Sequence, residues 1–212
     1  HVRSGTIEEN AGAALLDLGD GVLLLEFRAK MNTMGAPVLE LLESAERRIT
    51  TGGHHGLVIG NADPRTFSAG ADLGAVVHGA AAGDWPMLEQ AVHRFQQGVM
   101  SLRRAPFPIV AAPFGLALGG GCELSMHAAR VQAHAELYMG LVEVGVGLLP
   151  GGGGTKELLF RFCRELAGYE ETDPFEGVKR AFKLITMATT STSALDARAL
   201  GFLRDADRIS MN

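Results

Sequence analysis

The glycines of this chain are clustered, and the clustering limits what it can fold into. They crowd between Gly115 and Gly154, with smaller groups at Gly52-Gly53 and Gly70-Gly74, and each cluster lies beside an apolar run. Glycine permits tight turns and close backbone approach. With 28 glycines in 212 residues, the share is about twice the ~7% usual in soluble proteins, so the surplus needs a structural use. A collagen-like use would need a glycine period, and disorder would need few apolar residues. Neither fits, because no period exists and 47% of the residues are hydrophobic.

Strand and helix patterns alternate along the chain, which predicts an α/β fold. Leu15 to Phe27 reads as two strands around Gly19-Asp20-Gly21. Pro37 to Ile49 has helical spacing at Val38, Leu41, Leu42, Ala45 and Ile49, and Gly56 to Gly60 reads as a short buried strand. Asp84 to Arg103 predicts a long helix, with Asp84 as N-cap and Leu88, Ala91, Val92, Phe95, Val99 and Leu102 on its apolar face. Pro108 to Pro113 is another buried strand, Glu123 to Arg130 a helix, and Gly79 to Gly83 a flexible Ala-Gly run. The tail reads as two helices, Asp173 to Ala188 and Ser193 to Leu200, with Ser193 and Asp196 as a capping pair. No repeat or linker divides the chain, so residues 1–212 read as one domain.

A net charge of -5, without a basic stripe, argues against nucleic-acid binding. Two cysteines, Cys122 and Cys163, make no disulfide scaffold and suit a reducing compartment. The opening segment His1 to Asn10 has no apolar signal core, and no run reaches the length of a membrane span, so a cytoplasmic protein is expected.

A strand that runs into glycine and then a helix presents free backbone N–H groups at the positive end of the helix dipole, which suits a phosphate or a developing oxyanion. Ala69-Gly70-Ala71-Asp72 and Gly119-Gly120-Gly121-Cys122-Glu123 are two such places. Nucleotide motifs fail on spacing: Gly151-Gly152-Gly153-Gly154-Thr155-Lys156 puts Thr before Lys, and Gly145-Val146-Gly147 runs into Pro150. Two carboxylates stand beside these turns. Glu123 sits at a predicted helix start, where an acid also complements the dipole. Glu143 is the only charge from Gly140 to Thr155, and a desolvated carboxylate of that kind can serve as general acid or base. No metal site is expected, because His54-His55 has no further ligands at metal spacing.

The blocks Phe67-Ser68-Ala69-Gly70-Ala71-Asp72-Leu73, Pro108 to Leu124, and Glu143 to Thr155 resemble the signature blocks of the crotonase, or enoyl-CoA hydratase/isomerase, superfamily. The resemblance runs from about Ala14 to Leu203, with Phe114-Gly115 in place of the more usual Asn-Gly. The tail looks most like the hydratase part of bifunctional 3-hydroxyacyl-CoA dehydrogenase/enoyl-CoA hydratase proteins. There a nicotinamide-dependent dehydrogenase precedes the hydratase unit, so this sequence reads as a fragment or a stand-alone relative. The resemblance implies a spiral of repeated β-β-α units and a C-terminal helical region truncated at Asn212.

It further implies that the N–H groups of Ala71 and Gly120 form an oxyanion hole for a thioester carbonyl. Glu123 would deprotonate water for attack at Cβ, and Glu143 would deliver a proton at Cα. Lys30, Met31 and Asn32, together with Ala69, Gly70, Asp72 and Leu73, are implied on the CoA side. No cofactor is implied, since CoA is part of the substrate. The implied partners are an acyl-CoA thioester, further copies of the chain as a trimer or hexamer, and a dehydrogenase domain or partner. An enoyl-CoA isomerase and a non-catalytic acyl-CoA-binding or assembly module are the rival readings.

Overall fold

A computed structural model describes residues 5–166 and 173–211; the first four residues of the opening segment lie outside the described residues. Among the described residues, ten strands form two sheets. The larger contains β1 (Gly5–Glu9), β2 (Ala13–Asp17), β3 (Val22–Phe27), β4 (Gly56–Gly60), β6 (Ile109–Ala111), β8 (Arg130–His134) and β10 (Arg208–Ser210), in that order across the sheet. The smaller contains β5 (Thr66–Ser68), β7 (Gly115–Leu118) and β9 (Leu137–Gly140). The helices are α1 (Ala36–Thr50), α2 (Leu73–Ala82), α3 (Trp85–Arg104), α4 (Gly120–His127), α5 (Gly154–Leu166), α6 (Phe175–Thr186) and α7 (Ala194–Ala199).

The first two pairings, β1 with β2 and β2 with β3, are antiparallel, and the Gly19-Asp20-Gly21 turn makes the second hairpin as its sequence predicts. From β3 onward all pairings are parallel. The chain then places one strand in each sheet in turn: β4 then β5, β6 then β7, β8 then β9. A helical segment follows each of these strand pairs, which is the β-β-α spiral expected. One buried apolar cluster runs from Ala13 through Phe67 and Leu124 to Phe202 and Leu203. Phe67 is its hinge between sheets, edge-on to Phe27 at 5.6 Å and to Phe114 at 6.4 Å. Each such ring pair adds about 0.5–1.5 kcal/mol beyond area burial, and half-buried Phe114 packs against the core through this contact.

Three sequence expectations change. Glu123 to Arg130 is not one helix: α4 begins at Gly120 and ends at His127, and Arg130 opens β8. Gly119, at φ 54°, starts the helix early, and Ala128 turns extended after it. The Gly79 to Gly83 run belongs largely to α2, because Asp72 caps its start by accepting from Gly74 and Ala75 N–H, and left-handed Gly83 ends it. On α3 only Val99 and Leu102 are buried; Val92 is 47% exposed, because the first half of α3 packs on α2, where Gly79 makes room for Met87 and Leu88. Asp84 does cap α3 through Met87 N–H, and Ser193 caps α7 through Asp196 N–H. Asp196 returns its carboxylate to Thr192 N–H rather than to Ser193.

Candidate active site

The chain leaves the small sheet at three adjacent points. β5 runs out into Ala69-Gly70-Ala71-Asp72, β7 into Gly119-Gly120, and β9 into Leu141-Val142-Glu143, and the three strands are parallel neighbours. Their carboxyl ends therefore lie side by side, at the end of a parallel sheet where ligands characteristically bind. Gly119 N–H donates to Gly140 O at 2.9 Å and laces the second exit to the third.

Gly70, at φ 90°, makes the first turn possible. A Cβ there would stand 2.9 Å from both Gly120 N and Leu118 O, so any side chain would force the two turns apart. The Gly70 carbonyl accepts from Met34 N–H at 2.8 Å. Because N–H and C=O of a trans peptide point oppositely, the Ala71 N–H faces away from that bond. Gly120 lies in the first turn of α4, where an amide has no intrahelical acceptor. Two backbone amides thus stand where the first and second exits touch.

Glu143 lies against Gly119, Glu123 lies against Gly152 and Gly154, and the two carboxyls are close enough to feel each other's charge. Glu123 is 2% exposed, and its Oε1 accepts from Gly154 N–H at 2.8 Å. Burial pushes its pKa up to about 7 against the opposing pull of the Gly154 amide, and the Glu143 charge adds to the rise. His127, buried one turn along α4, fixes the Glu123 backbone. Lys156 Nζ donates to His127 Nε2 at 2.9 Å, so Nδ1 carries the proton and donates to Glu123 O at 2.7 Å. Glu143 has its Oε1 3.3 Å from where a Gly119 Cβ would lie. Both its carboxylate oxygens are buried with no hydrogen-bond partner among the described residues, and burial raises its pKa. A buried carboxyl without a partner costs stability, and its retention points to work done on a ligand.

Residues 18–169 match the family described as Enoyl-CoA hydratase/isomerase. The chain belongs to the enoyl-CoA hydratase/isomerase family. Over 212 residues it is 42% identical to a Bacillus subtilis (strain 168) protein named "Probable 3-hydroxyacyl-CoA dehydrogenase", covering 98% of this chain and 26% of that one. It is 39% identical over 138 residues to the fatty acid oxidation complex subunit alpha of Vibrio cholerae, covering 61% of this chain and 18% of that one. The chain therefore spans about a quarter or less of the length of these relatives. Among solved structures it is similar to an enoyl-CoA hydratase from Bacillus anthracis, at TM-score 0.75 and 24% identity over 94% of this chain and 70% of that one. An enoyl-CoA hydratase from Thermoplasma volcanium aligns at TM-score 0.73 and 21% identity over 96% and 73%. At these identities the likeness shows the crotonase fold.

Within this enoyl-CoA hydratase/isomerase chain, the residues implied on the CoA side divide by environment. Lys30 and Met31 are exposed on a short 3₁₀ turn, Lys30–Asn32, where Met31 and Asn32 take positive φ of 54° and 52°. Asn32 turns inward: its side chain donates to Thr66 O, its carbonyl accepts from Ser68, and Met31 O accepts from Ala69 N–H. Asn32 thus holds the first glycine turn in place, with its side-chain NH2 spent on Thr66 O. Asp72 and Leu73 are exposed at the start of α2, with the Asp72 carboxylate engaged as its cap. Ala69 is half-buried between these segments.

Sequence reasoning missed the purpose of the run Gly151 to Gly154. Gly152 and Gly154 lie against Glu123, and a Cβ on Gly152 would stand 2.5 Å from Glu123 Oε2. At Gly152 and Gly154 the bare backbone lets the loop close on a buried carboxylate. Its position before a helix start was the available signal. Phe95 and His127, which also meet this site, carried none beyond ordinary core spacing.

Proposed function

We propose that this chain adds water across the double bond of a trans-2-enoyl-CoA thioester. The observation that carries the reading is the pair of buried carboxyls, one held by a backbone amide and one unpartnered, beside two backbone donors. The thioester oxygen would accept from Ala71 and Gly120 N–H, which draws electrons from the conjugated system and leaves Cβ electrophilic. Ionised Glu123 takes a proton from water as the oxygen bonds to Cβ, and the electron pair moves to the thioester oxygen as an enolate. Each well-placed donor to that oxygen is typically worth about 2.7–4 kcal/mol. Protonated Glu143 then gives its proton to Cα, the enolate collapses, and the 3-hydroxyacyl-CoA forms. The cycle closes when the proton on Glu123 returns to Glu143 through solvent or product exchange.

The division of base and acid between Glu123 and Glu143 is the one the family resemblance implies, and burial favours the protonated form of both carboxyls. No metal ion or nicotinamide enters the scheme, and CoA arrives as part of the substrate. The product is what a 3-hydroxyacyl-CoA dehydrogenase oxidises, and the names of the relatives support a place beside such an activity in fatty-acid oxidation. Assembly as a homo-oligomer is part of the same proposal, read from the mass in solution.

Hydration of crotonyl-CoA, followed as loss of the conjugated-thioester absorbance, tests the reading. Glu123→Gln and Glu143→Gln are each expected to lower kcat/KM by roughly a hundredfold or more. Wild-type turnover in either variant would overturn the two-carboxyl mechanism. Double-bond migration retained in Glu123→Gln but lost in Glu143→Gln would favour an isomerase, and binding of CoA esters without turnover a binding module.

A further inference from the structure

Phe95 extends from α3 toward the glycine turns beside Glu123. Its Cζ lies 3.2 Å from where a Cβ on Gly120 would be, and its Cε1 lies 2.1 Å from where a Cβ on Gly152 would be. Glu123 Oε2 is 2.5 Å from that same point on Gly152. The ring is therefore wedged between the second backbone donor and the Glu123 carboxyl, occupying room that exists because residues 120 and 152 have no side chains. Two contacts hold it there. Gln96 Nε2 donates to Gly151 O at 2.7 Å, and Val92 Cγ1 lies 3.7 Å from the Cβ position of Gly151, so consecutive turns of α3 are seated on the glycine loop.

We infer that Phe95 is the residue that limits acyl-chain length in this site, an inference that rests on the hydratase reading. A thioester whose oxygen meets Ala71 and Gly120 N–H, and whose Cβ faces Glu123, has its reacting carbons between those groups. Cγ and every later carbon must leave past the line from Gly120 to Gly152. The Phe95 ring stands on that line. A four-carbon substrate ends against the ring face and gains apolar contact there, whereas a longer chain has to displace an aromatic ring that is packed on backbone and tethered through its own helix. The ring also shields Glu123 from bulk water, so the wall that selects the substrate is the wall that keeps the base desolvated.

The test is kcat/KM for four-, six-, eight- and ten-carbon 2-enoyl-CoA substrates with wild type, Phe95→Ala and Phe95→Leu, with the melting temperature of each as a check on folding. Wild type is expected to prefer the four-carbon substrate. Phe95→Ala should raise the ten-carbon to four-carbon ratio by about tenfold or more, the scale on which a pocket discriminates by methylene groups, and Phe95→Leu should fall between. An unchanged ratio in both variants would overturn the inference. Should wild type hydrate none of them, the hydratase reading fails separately, and calorimetric binding of butyryl-CoA and decanoyl-CoA decides the role of the ring. A decanoyl preference gained in Phe95→Ala upholds it, and equal preferences in the two proteins refute it.

Discussion

Glu123 is a buried carboxyl whose proton is held more tightly in the folded protein than in the unfolded chain, because burial lifts its pKa from an ordinary 4.5 to about 7. Between those values the native state binds more protons than the unfolded one, so stability falls as pH rises from about 4.5 to about 7 and stays lower above it. The difference is on the order of 3 kcal/mol. Glu123→Gln, whose amide oxygen can still accept from Gly154 N–H, should remove the effect. Urea midpoints at pH 5 and pH 8 check this: wild type is expected to lose more stability between them than the variant, and parallel losses would show that Glu123 does not titrate there. At this scale the two glutamates were legible, because a lone charge in an apolar, glycine-rich stretch is costly unless it is used. Phe95 was not, since an aromatic residue at helical spacing looks the same whether it meets the core or a substrate.

Among the elements, α4 and α5 depend on Arg161. Its guanidinium pairs with buried Glu157 at 3.1 Å and donates to Met126 O, Gly201 O and Phe202 O, so it ties α5 to the end of α4 and to the turn after α7. Removing one partner of a buried pair strands the other charge, typically at a cost of about 3–5 kcal/mol. Arg161→Met should therefore lower the unfolding free energy by that amount, read from urea denaturation, while a loss below about 1 kcal/mol would mean that Arg103, 3.5 Å from Glu157, takes over the pairing. Helices with clear caps or strong amphipathic spacing, such as α1, α3 and α7, were legible locally. α2 was hidden by its composition: alanine and glycine look flexible until Asp72 and Gly83 are seen as its two ends and Gly79 as a seat for Met87 and Leu88.

For the molecule as a whole, the apolar cluster shared by both sheets and by α1, α3, α4, α5, α6 and α7 predicts one cooperative unfolding transition. Equal calorimetric and van't Hoff enthalpies would support this, and two resolved transitions would divide the chain. No described helix is long and apolar enough to cross a membrane. By itself the sequence determined the parts of the site: glycine turns after apolar strands, with two carboxyls beside them, already meant backbone amides free of helical partners, because that follows from local backbone chemistry. Only the tertiary structure decided what those groups do together. Parallel pairing of β5, β7 and β9 sets three distant turns at one sheet end. The packing of α3 and the 151–154 loop then buries Glu123 and sets the Phe95 ring against it. Burial and close approach arise from residues far apart along the chain, and they are what raise the pKa of Glu123 and bring a phenyl ring against the glycine turns.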